Sequence, residues 1–348
     1  MTAVEQVYDS YWYINGKAVE TFEKEYASFN QVKYTIGVSN GLDALFLCLK
    51  AAGIGKGDEV IIPSNTYIAT ALAVSYLGAK PVFVEPDINT YNIDPRNIKK
   101  AINAKTKAII PVHLYGQSCR MDEIMEIANE HGLVVIEDNA QSQGSSYKNK
   151  LTGSWGAING TSFYPGKNIG ALGDAGAVTT NNDEFAKIVS SLRNYGSTKK
   201  YYHQRIGHNM RLDELQAAVL SVKLNYLEEW TRLRQQIAGL YKAALGGVHH
   251  ITLPAIDENA THVYHQFVIR CKERDALQQY LSDNGIGTII HYPVPPHLQE
   301  AYKFMGLGKG SFPIAEELAE TMLSLPVWPG LTEEEVNYTC ETILRFCK

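Results

Sequence analysis

Val134-Val135-Ile136-Glu137-Asp138-Asn139-Ala140-Gln141 changes character partway along. Three β-branched residues in a row read as a strand covered on both faces, and the polar run after them reads as the loop at its carboxyl end. The same grammar recurs upstream in Glu59-Val60-Ile61-Ile62, Pro81-Val82-Phe83-Val84 and Ala108-Ile109-Ile110-Pro111-Val112. Helical patterns lie between these runs. Leu42, Leu45, Phe46 and Leu49 stand at i, i+3, i+4 and i+7 with Gly53 as a stop; Ile124, Ile127, Ala128 and His131 repeat the spacing and stop at Gly132. Strands alternating with helices from about residue 38 to 180 make an α/β architecture around a mainly parallel sheet.

Beyond Gly176-Ala177-Val178-Thr179 the texture changes. One long helical pattern runs from about Leu212 to Leu240. It leads into a smaller unit with expected strands at Val263–Arg270 and Thr288–Tyr292, a helix near Arg274–Leu281 and a last helix near Thr332–Phe346. The expected division is a large domain over residues 1–230, N-terminal helix included, and a small C-terminal α+β domain over residues 231–348. The stretch Thr198 to His208 (TKKYYHQRIGH) is polar, aromatic and poorly patterned, and reads as an exposed loop.

Composition excludes several classes. The chain has 32 basic and 37 acidic residues, a net charge of −5 and no basic run of five, which argues against a nucleic-acid or membrane-surface footprint. Five cysteines form no C-x-x-C pair, so reduced thiols in a cytoplasmic protein are expected, not a zinc knuckle or a disulfide framework. Met1 to Ser10 shows no signal-peptide pattern, and no apolar run is long enough to span a membrane. The histidines show no ligand spacing beyond the adjacent His249-His250, so no metal is expected.

Ligands of open α/β sheets gather outside the carboxyl ends of the strands. Glu137-Asp138-Asn139-Ala140-Gln141 follows one strand. Pro165-Gly166-Lys167-Asn168 follows another at Asn159–Tyr164. Ser39-Asn40-Gly41-Leu42-Asp43 follows Thr35-Ile36-Gly37-Val38 and opens a helix, and Asn65-Thr66-Tyr67 follows Val60-Ile61-Ile62. A lysine, a carboxylate, a phosphate-type turn and an aromatic thus meet at one sheet edge, which matches the needs of pyridoxal 5′-phosphate (PLP). That cofactor requires an amine for a Schiff base, a carboxylate to keep its ring nitrogen protonated, and a helix N-terminus for its phosphate. The amides of Leu42 and Asp43 suit the phosphate, Gly41 permits close approach, Ser162 adds a hydroxyl, and Tyr67 can stack on the ring. Singly, each feature has a duller reading: Lys167 as a solvated turn residue, Glu137-Asp138 as a helix cap, Asn40-Gly41 as a plain turn, Tyr67 as one of 21 tyrosines. Their joint appearance reverses those odds. A Walker A loop is excluded, because Thr161 stands where its first glycine belongs and Asn168 where its Ser or Thr belongs.

Ser162-Phe163-Tyr164-Pro165-Gly166-Lys167-Asn168-Ile169-Gly170-Ala171-Leu172-Gly173-Asp174-Ala175-Gly176 resembles the lysine segment of the DegT/DnrJ/StrS sugar-nucleotide aminotransferases. Val38 to Leu45, Glu137 to Gln141 and Gly207 to Leu212 share the resemblance, which covers nearly the whole chain. It implies the aspartate-aminotransferase-like fold (PLP fold type I). It also implies roles: Lys167 as Schiff-base lysine and proton shuttle, Asp138 on the pyridinium nitrogen, and Gln141 on the phenolic oxygen. Ser162 and the amides of Leu42 and Asp43 would hold the phosphate, and Asn209 would reach it from a second subunit, which makes a homodimer with a shared site. An amino acid, L-glutamate, would load the amine and a keto sugar nucleotide would receive it. Two departures stand out: Leu42 replaces the family's threonine, and the family's proline- and aspartate-rich lead-in does not precede Tyr8-Asp9-Ser10-Tyr11-Trp12-Tyr13-Ile14.

Asn209-Met210-Arg211-Leu212-Asp213-Glu214-Leu215-Gln216-Ala217-Ala218 and His291-Tyr292-Pro293-Val294-Pro295-Pro296-His297-Leu298-Gln299 look like the subgroup acting at carbon 3 of dTDP-3-keto-6-deoxyhexoses. Tyr292 and His297, with Tyr164, would then line the substrate pocket; a rigid proline-rich turn with His297 capping a helix is the plainer alternative. A carbon-4 aminotransferase, a PLP-dependent sugar dehydratase and a non-catalytic PLP-binding regulator remain as other readings. Lys167 disfavours the dehydratases that carry histidine in its place, and no DNA-binding segment accompanies the chain to favour the regulator.

Overall fold

The computed structural model describes residues 2–348. Its centre is built from β1 (Tyr34–Val38), β2 (Glu59–Pro63), β3 (Lys80–Val84), β4 (Thr106–Ile109) and β5 (Val134–Asp138). A small hairpin of β6 (Ser146–Tyr147) and β7 (Lys150–Leu151) leads to β8 (Ile158–Ser162) and β9 (Gly176–Thr180). The hairpin aside, these strands make one seven-stranded sheet in the order β1-β9-β8-β5-β4-β2-β3. Six of its strands run one way, and β9 runs against both its neighbours. The protein is therefore an α/β fold around a mainly parallel mixed sheet.

Helices α1 (Thr2–Ser10), α2 (Lys17–Phe29), α3 (Gly41–Ala51), α4 (Ile68–Ser75), α5 (Pro95–Ala101), α6 (Met121–His131) and α7 (Asp183–Leu192) precede or connect these strands. β2 and β9 are buried at every residue, as unbroken hydrophobicity requires. β8 is different, for its sequence Ile-Asn-Gly-Thr-Ser is polar yet mostly buried. Asn159 resolves the conflict by donating its amide to the Gly153 carbonyl (2.9 Å) and accepting the Glu137 N–H (3.3 Å). α6 ends with Gly132 at φ 65°, the left-handed conformation expected of a helix-terminating glycine.

Downstream lie the hairpin β10 (Ser197–Lys199) and β11 (Tyr202–His203), α8 (Glu214–Leu224), α9 (Leu227–Leu245), β12 (Phe267–Arg270), α10 (Arg274–Asp283), α11 (Pro313–Thr321), β13 (Met322–Leu325) and α12 (Glu333–Phe346). Four sequence expectations are corrected here. The long helix is two, because the Asn225 amide takes the Ser221 carbonyl (3.0 Å) that a continuing helix would need. The exposed loop at Thr198–His208 contains the β10-β11 hairpin. The strand near Val263 begins only at Phe267, since Val263 and Gln266 give their N–H groups to Gly116 and Tyr115 instead. The strand at Thr288–Tyr292 reduces to one bridge, Ile289 to Ser324, before Pro293, Pro295 and Pro296 remove the donors a ladder needs.

Three apolar clusters position the site. The largest packs α3, α4 and α7 on the sheet and takes in Tyr302, Leu318 and Met322 from far along the chain. A second gathers buried residues from Ile237 to Ile343 around β12 and β13. A third joins α2 and α8 to the segment after β8 through Phe22, Tyr26, Phe163, Ile169 and Leu220. α2 starts at Gly16 without a side-chain cap of its own. Glu214 supplies one, accepting the N–H groups of Gly16 (2.6 Å), Ala18 (2.8 Å) and Val19 (3.3 Å).

Candidate active site

The loop that carries Lys167 is held from several sides. Phe163 sits edge-on against Phe22 and Tyr26, at 5.4 and 5.2 Å between ring centres. Its N–H reaches the Ala175 carbonyl, its carbonyl takes the Ala171 N–H, and the Lys167 N–H closes a turn on Tyr164, each at 2.8 Å. From α8, Gln216 accepts the Leu172 N–H (2.8 Å) and Lys223 donates to the Gly170 carbonyl (2.6 Å). Lys167 itself is half-buried, and no hydrogen bond joins its amine to a described residue. Burial pushes its pKa down to about 8, and the nearby Asp138 charge opposes that fall.

Asp138 ends β5, buried. Its Oδ2 accepts from Thr70 Oγ1 (2.9 Å) and its Oδ1 from the Ala140 N–H (3.2 Å). Burial raises its pKa, and the Thr70 hydroxyl is the largest influence restraining the rise. Strand alternation sends the adjacent Glu137 to the opposite face. There its carboxylate accepts the N–H groups of Gly153, Trp155 and Gly156, each at 2.7 Å, and meets His113 Nε2 at 2.9 Å. His113 Nδ1 accepts the Cys119 N–H, which places the ring proton on Nε2, donating to Glu137. Of two neighbouring acids, Glu137 organises a loop and Asp138 faces Lys167.

Gln141 is buried beside them. Its Oε1 accepts the Tyr115 N–H (2.6 Å) and its Nε2 donates to the Tyr292 hydroxyl (3.1 Å). The Tyr292 ring tilts against Tyr67, 5.1 Å between centres, so the two aromatics flank the same cleft. Tyr67 and Tyr164 are more than half exposed.

At the N-terminus of α3 the structure corrects one expectation. The Asp43 N–H is already given to the capping Asn40 Oδ1 at 2.8 Å, and the Asp43 carboxylate receives the Ser39 hydroxyl and the Asn40 amide. Capping has consumed that amide, so the free N–H groups at this helix end are those of Gly41 and Leu42. Gly41 packs on Ser162 so closely that a Cβ there would lie 2.5 Å from the Ser162 Cβ. Only glycine brings strand end and helix end this near.

His297 is a second correction. Its side chain is fully buried, bonded through Nε2 to Glu316 Oε1 (3.0 Å) and packed against Phe312, so it lines no pocket. Asn209 lies exposed on the strap after the β10-β11 hairpin, bridged to Asn194. Two residues near the site escaped sequence reasoning. Thr70 lies within α4 with nothing local to mark it. His291 directly precedes Tyr292 and is close enough to Lys167 to feel its charge. Only its adjacency to Tyr292 could have raised it.

A poised amine, a buried acid facing it, two free helix-end amides and a flanking pair of aromatics fit PLP. Among the described residues, no group of three or more His, Cys, Asp or Glu side chains gathers to hold a metal, and no helix is long and apolar enough to cross a membrane.

Comparison with known proteins agrees with this geometry. The model of the DegT/DnrJ/EryC1/StrS aminotransferase family matches residues 1–344. The dTDP-3-amino-3,6-dideoxy-alpha-D-galactopyranose transaminase of Aneurinibacillus thermoaerophilus is 52% identical over 99% of this chain and 94% of its own. The dTDP-3-amino-3,4,6-trideoxy-alpha-D-glucose transaminase of Streptomyces venezuelae is 46% identical over 94% of this chain and 87% of its own. The crystal structure of S. venezuelae DesV in complex with a ketimine intermediate superimposes with a TM-score of 0.98 at 43% identity, covering 100% of this chain and 94% of that one. With fold, lysine loop and whole-length similarity in agreement, this chain belongs to the DegT/DnrJ/EryC1/StrS aminotransferase family and is a PLP-dependent aminotransferase.

Proposed function

We propose that this enzyme moves the amino group of an amino acid, L-glutamate, to carbon 3 of a dTDP-3-keto-6-deoxyhexose in deoxyamino-sugar biosynthesis. The observation that carries the reading is Lys167. Its amine lies unpaired beside the buried Asp138, in a chain whose relatives named above are transaminases of 3-amino dTDP sugars. The segments at Asn209–Ala218 and His291–Gln299 support carbon 3 over carbon 4.

PLP, when bound, supplies the aldehyde that Lys167 takes up and a ring that receives the electron pair released at the substrate carbon. The chain's own groups do the rest. Lys167 Nζ, unprotonated in an appreciable fraction near neutral pH, carries the proton between carbons. Asp138 would hold a positive ring nitrogen, Gln141 would donate to the phenolic oxygen, and the Gly41 and Leu42 amides with Ser162 Oγ would hold the phosphate. Asn209 extends to that phosphate from the second subunit of a homodimer. Tyr67 would stack on the ring, and Tyr164 and Tyr292 would border the sugar. Residues 1–230 form the PLP-binding domain and 231–348 the small domain, in a cytoplasmic enzyme.

The test is incubation with PLP, L-glutamate and a panel of dTDP-3-keto and dTDP-4-keto sugars, following 2-oxoglutarate and sugar mass. Amination confined to the 3-keto sugars is expected. Amination confined to the 4-keto sugars, or dehydration without nitrogen transfer, overturns the proposal.

A further inference from the structure

Asn209 stands exposed on an extended strap, and the groups that aim it lie one residue to either side. Backbone bonds tie the strap to the end of α7. The His208 N–H reaches the Leu192 carbonyl (2.7 Å), the Tyr195 N–H the His208 carbonyl (2.8 Å), and the Met210 N–H the Arg193 carbonyl (2.9 Å). Bonds along one edge fix the course of a strap more tightly than its roll about its own axis. The roll is set by side chains, which alternate along an extended chain. Met210 turns inward onto the largest apolar cluster, His208 turns inward onto α3, and Asn209 between them faces out.

The Met210 contact is apolar and without direction; that of His208 is directed. Its ring stands edge-on to Phe46, 5.0 Å between centres, and its Nε2 takes a hydrogen bond from Lys50 Nζ at 3.0 Å. Phe46 and Lys50 are four residues apart on one face of α3, with the ammonium 5.5 Å from the ring centre. Among the described residues, the imidazole is the one hydrogen-bond partner of the Lys50 ammonium. An ammonium only donates, so Nε2 is bare and the ring is neutral, its proton on Nδ1. Burial first, and the Lys50 charge second, lower the His208 pKa and hold the ring in that form against the opposing Asp43 charge. α3 therefore has two tasks. Its first turn offers the Gly41 and Leu42 amides to its own site, and its last turn grips the strap that leaves for the other one.

We propose that His208 is a positioning residue: gripped by Lys50, it sets the direction in which Asn209 leaves its own subunit to meet the cofactor phosphate of the second. The inference rests on the reading that Asn209 reaches that phosphate.

The phosphate itself provides the test. Cofactor-free protein is titrated with PLP and with pyridoxal, which lacks the phosphate, following the absorbance of cofactor bound at Lys167. His208→Leu is expected to weaken PLP binding about tenfold and pyridoxal binding by less than about twofold, the pattern also expected of Asn209→Ala. His208→Gln, whose Oε1 can accept from Lys50, is expected to recover most of the loss. Lys50→Met is expected to reproduce the loss and to add nothing to it in the double variant. Hybrid dimers show which site is served. When His208→Leu subunits are mixed with an excess of Lys167→Met subunits, each remaining Lys167 is served by an intact strap, and PLP affinity is expected to return to the parent value. Equal losses for PLP and pyridoxal, no recovery in His208→Gln, parent-like affinity in a folded His208→Leu, or a loss that persists in the hybrids overturns the inference. If His208→Leu does not fold, parent-like PLP affinity in Lys50→Met overturns it as well. Failure of the underlying reading looks different, because Asn209→Ala itself would then bind PLP like the parent or show no recovery in hybrids.

Discussion

Replacing Asp138 by asparagine should make Lys167 a more reactive amine. In the folded protein, burial brings the Lys167 pKa from 10.5 to about 8 against the opposing charge of Asp138. At pH 7.5 about a quarter of the amine is then unprotonated, against about one part in a thousand for a free lysine. A carboxylate near an ammonium is worth about one unit or more, so Asp138→Asn should carry the midpoint to roughly 7. Pulsed reductive methylation of cofactor-free protein between pH 6 and 10 measures this directly. Mass spectrometry of the Lys167 peptide is normalised to the exposed Lys99. A parent midpoint at 10 or above, or a midpoint that rises in the variant, would refute the reasoning. The same shift links to stability. The folded pKa lies below the unfolded one, so between pH 8 and 10.5 the unfolded chain binds more protons than the native state and stability rises with pH. The penalty, about 3 kcal/mol, is fully present below pH 8 and gone above 10.5. Lys167→Met should remove this rise from denaturant titrations of the cofactor-free protein.

Gly41→Ala drives a methyl group to 2.5 Å from Ser162 Cβ, a strain of about 1–3 kcal/mol at the phosphate end of the site. A lower melting temperature in thermal unfolding and PLP affinity weakened about tenfold in spectrophotometric titration are expected, with partial recovery of the melting temperature alone in Gly41→Ala/Ser162→Gly; unaltered affinity in Gly41→Ala counts against α3 as the phosphate anchor. Glu137→Gln leaves one acceptor facing three backbone N–H groups and the His113 proton. Equilibrium unfolding should show a loss of about 3 kcal/mol or more, and a loss below about 1 kcal/mol would mean that the carboxylate does not hold the 153–156 loop.

The α/β plan was legible because it rests on local rules. Buried parallel strands need unbroken apolar runs, and helices between them need one apolar face, so Val60-Ile61-Ile62 and Ile124-Ile127-Ala128 announce themselves. The C-terminal strands were less legible. Val263 and Gln266 satisfy their backbone groups with Gly116 and Tyr115, more than a hundred residues away.

The sequence alone determined which residue types end or follow each strand: Lys167 after β8, Asp138 at the end of β5 and Gln141 after it, Gly41 at the start of α3. A parallel sheet delivers all such loops to one edge, so their chemistry could be added up before any coordinate was known. Tertiary structure decided which of two similar groups serves the site. Strand alternation and three loop amides gave Glu137 to the scaffold and left Asp138 to the lysine. Glu316 buried His297 while Ser324 held His291 at the cleft, and Asn40 claimed the Asp43 amide. Those outcomes depend on partners brought together by packing, and a hydrogen bond between residues distant in the chain leaves no periodic trace in either segment.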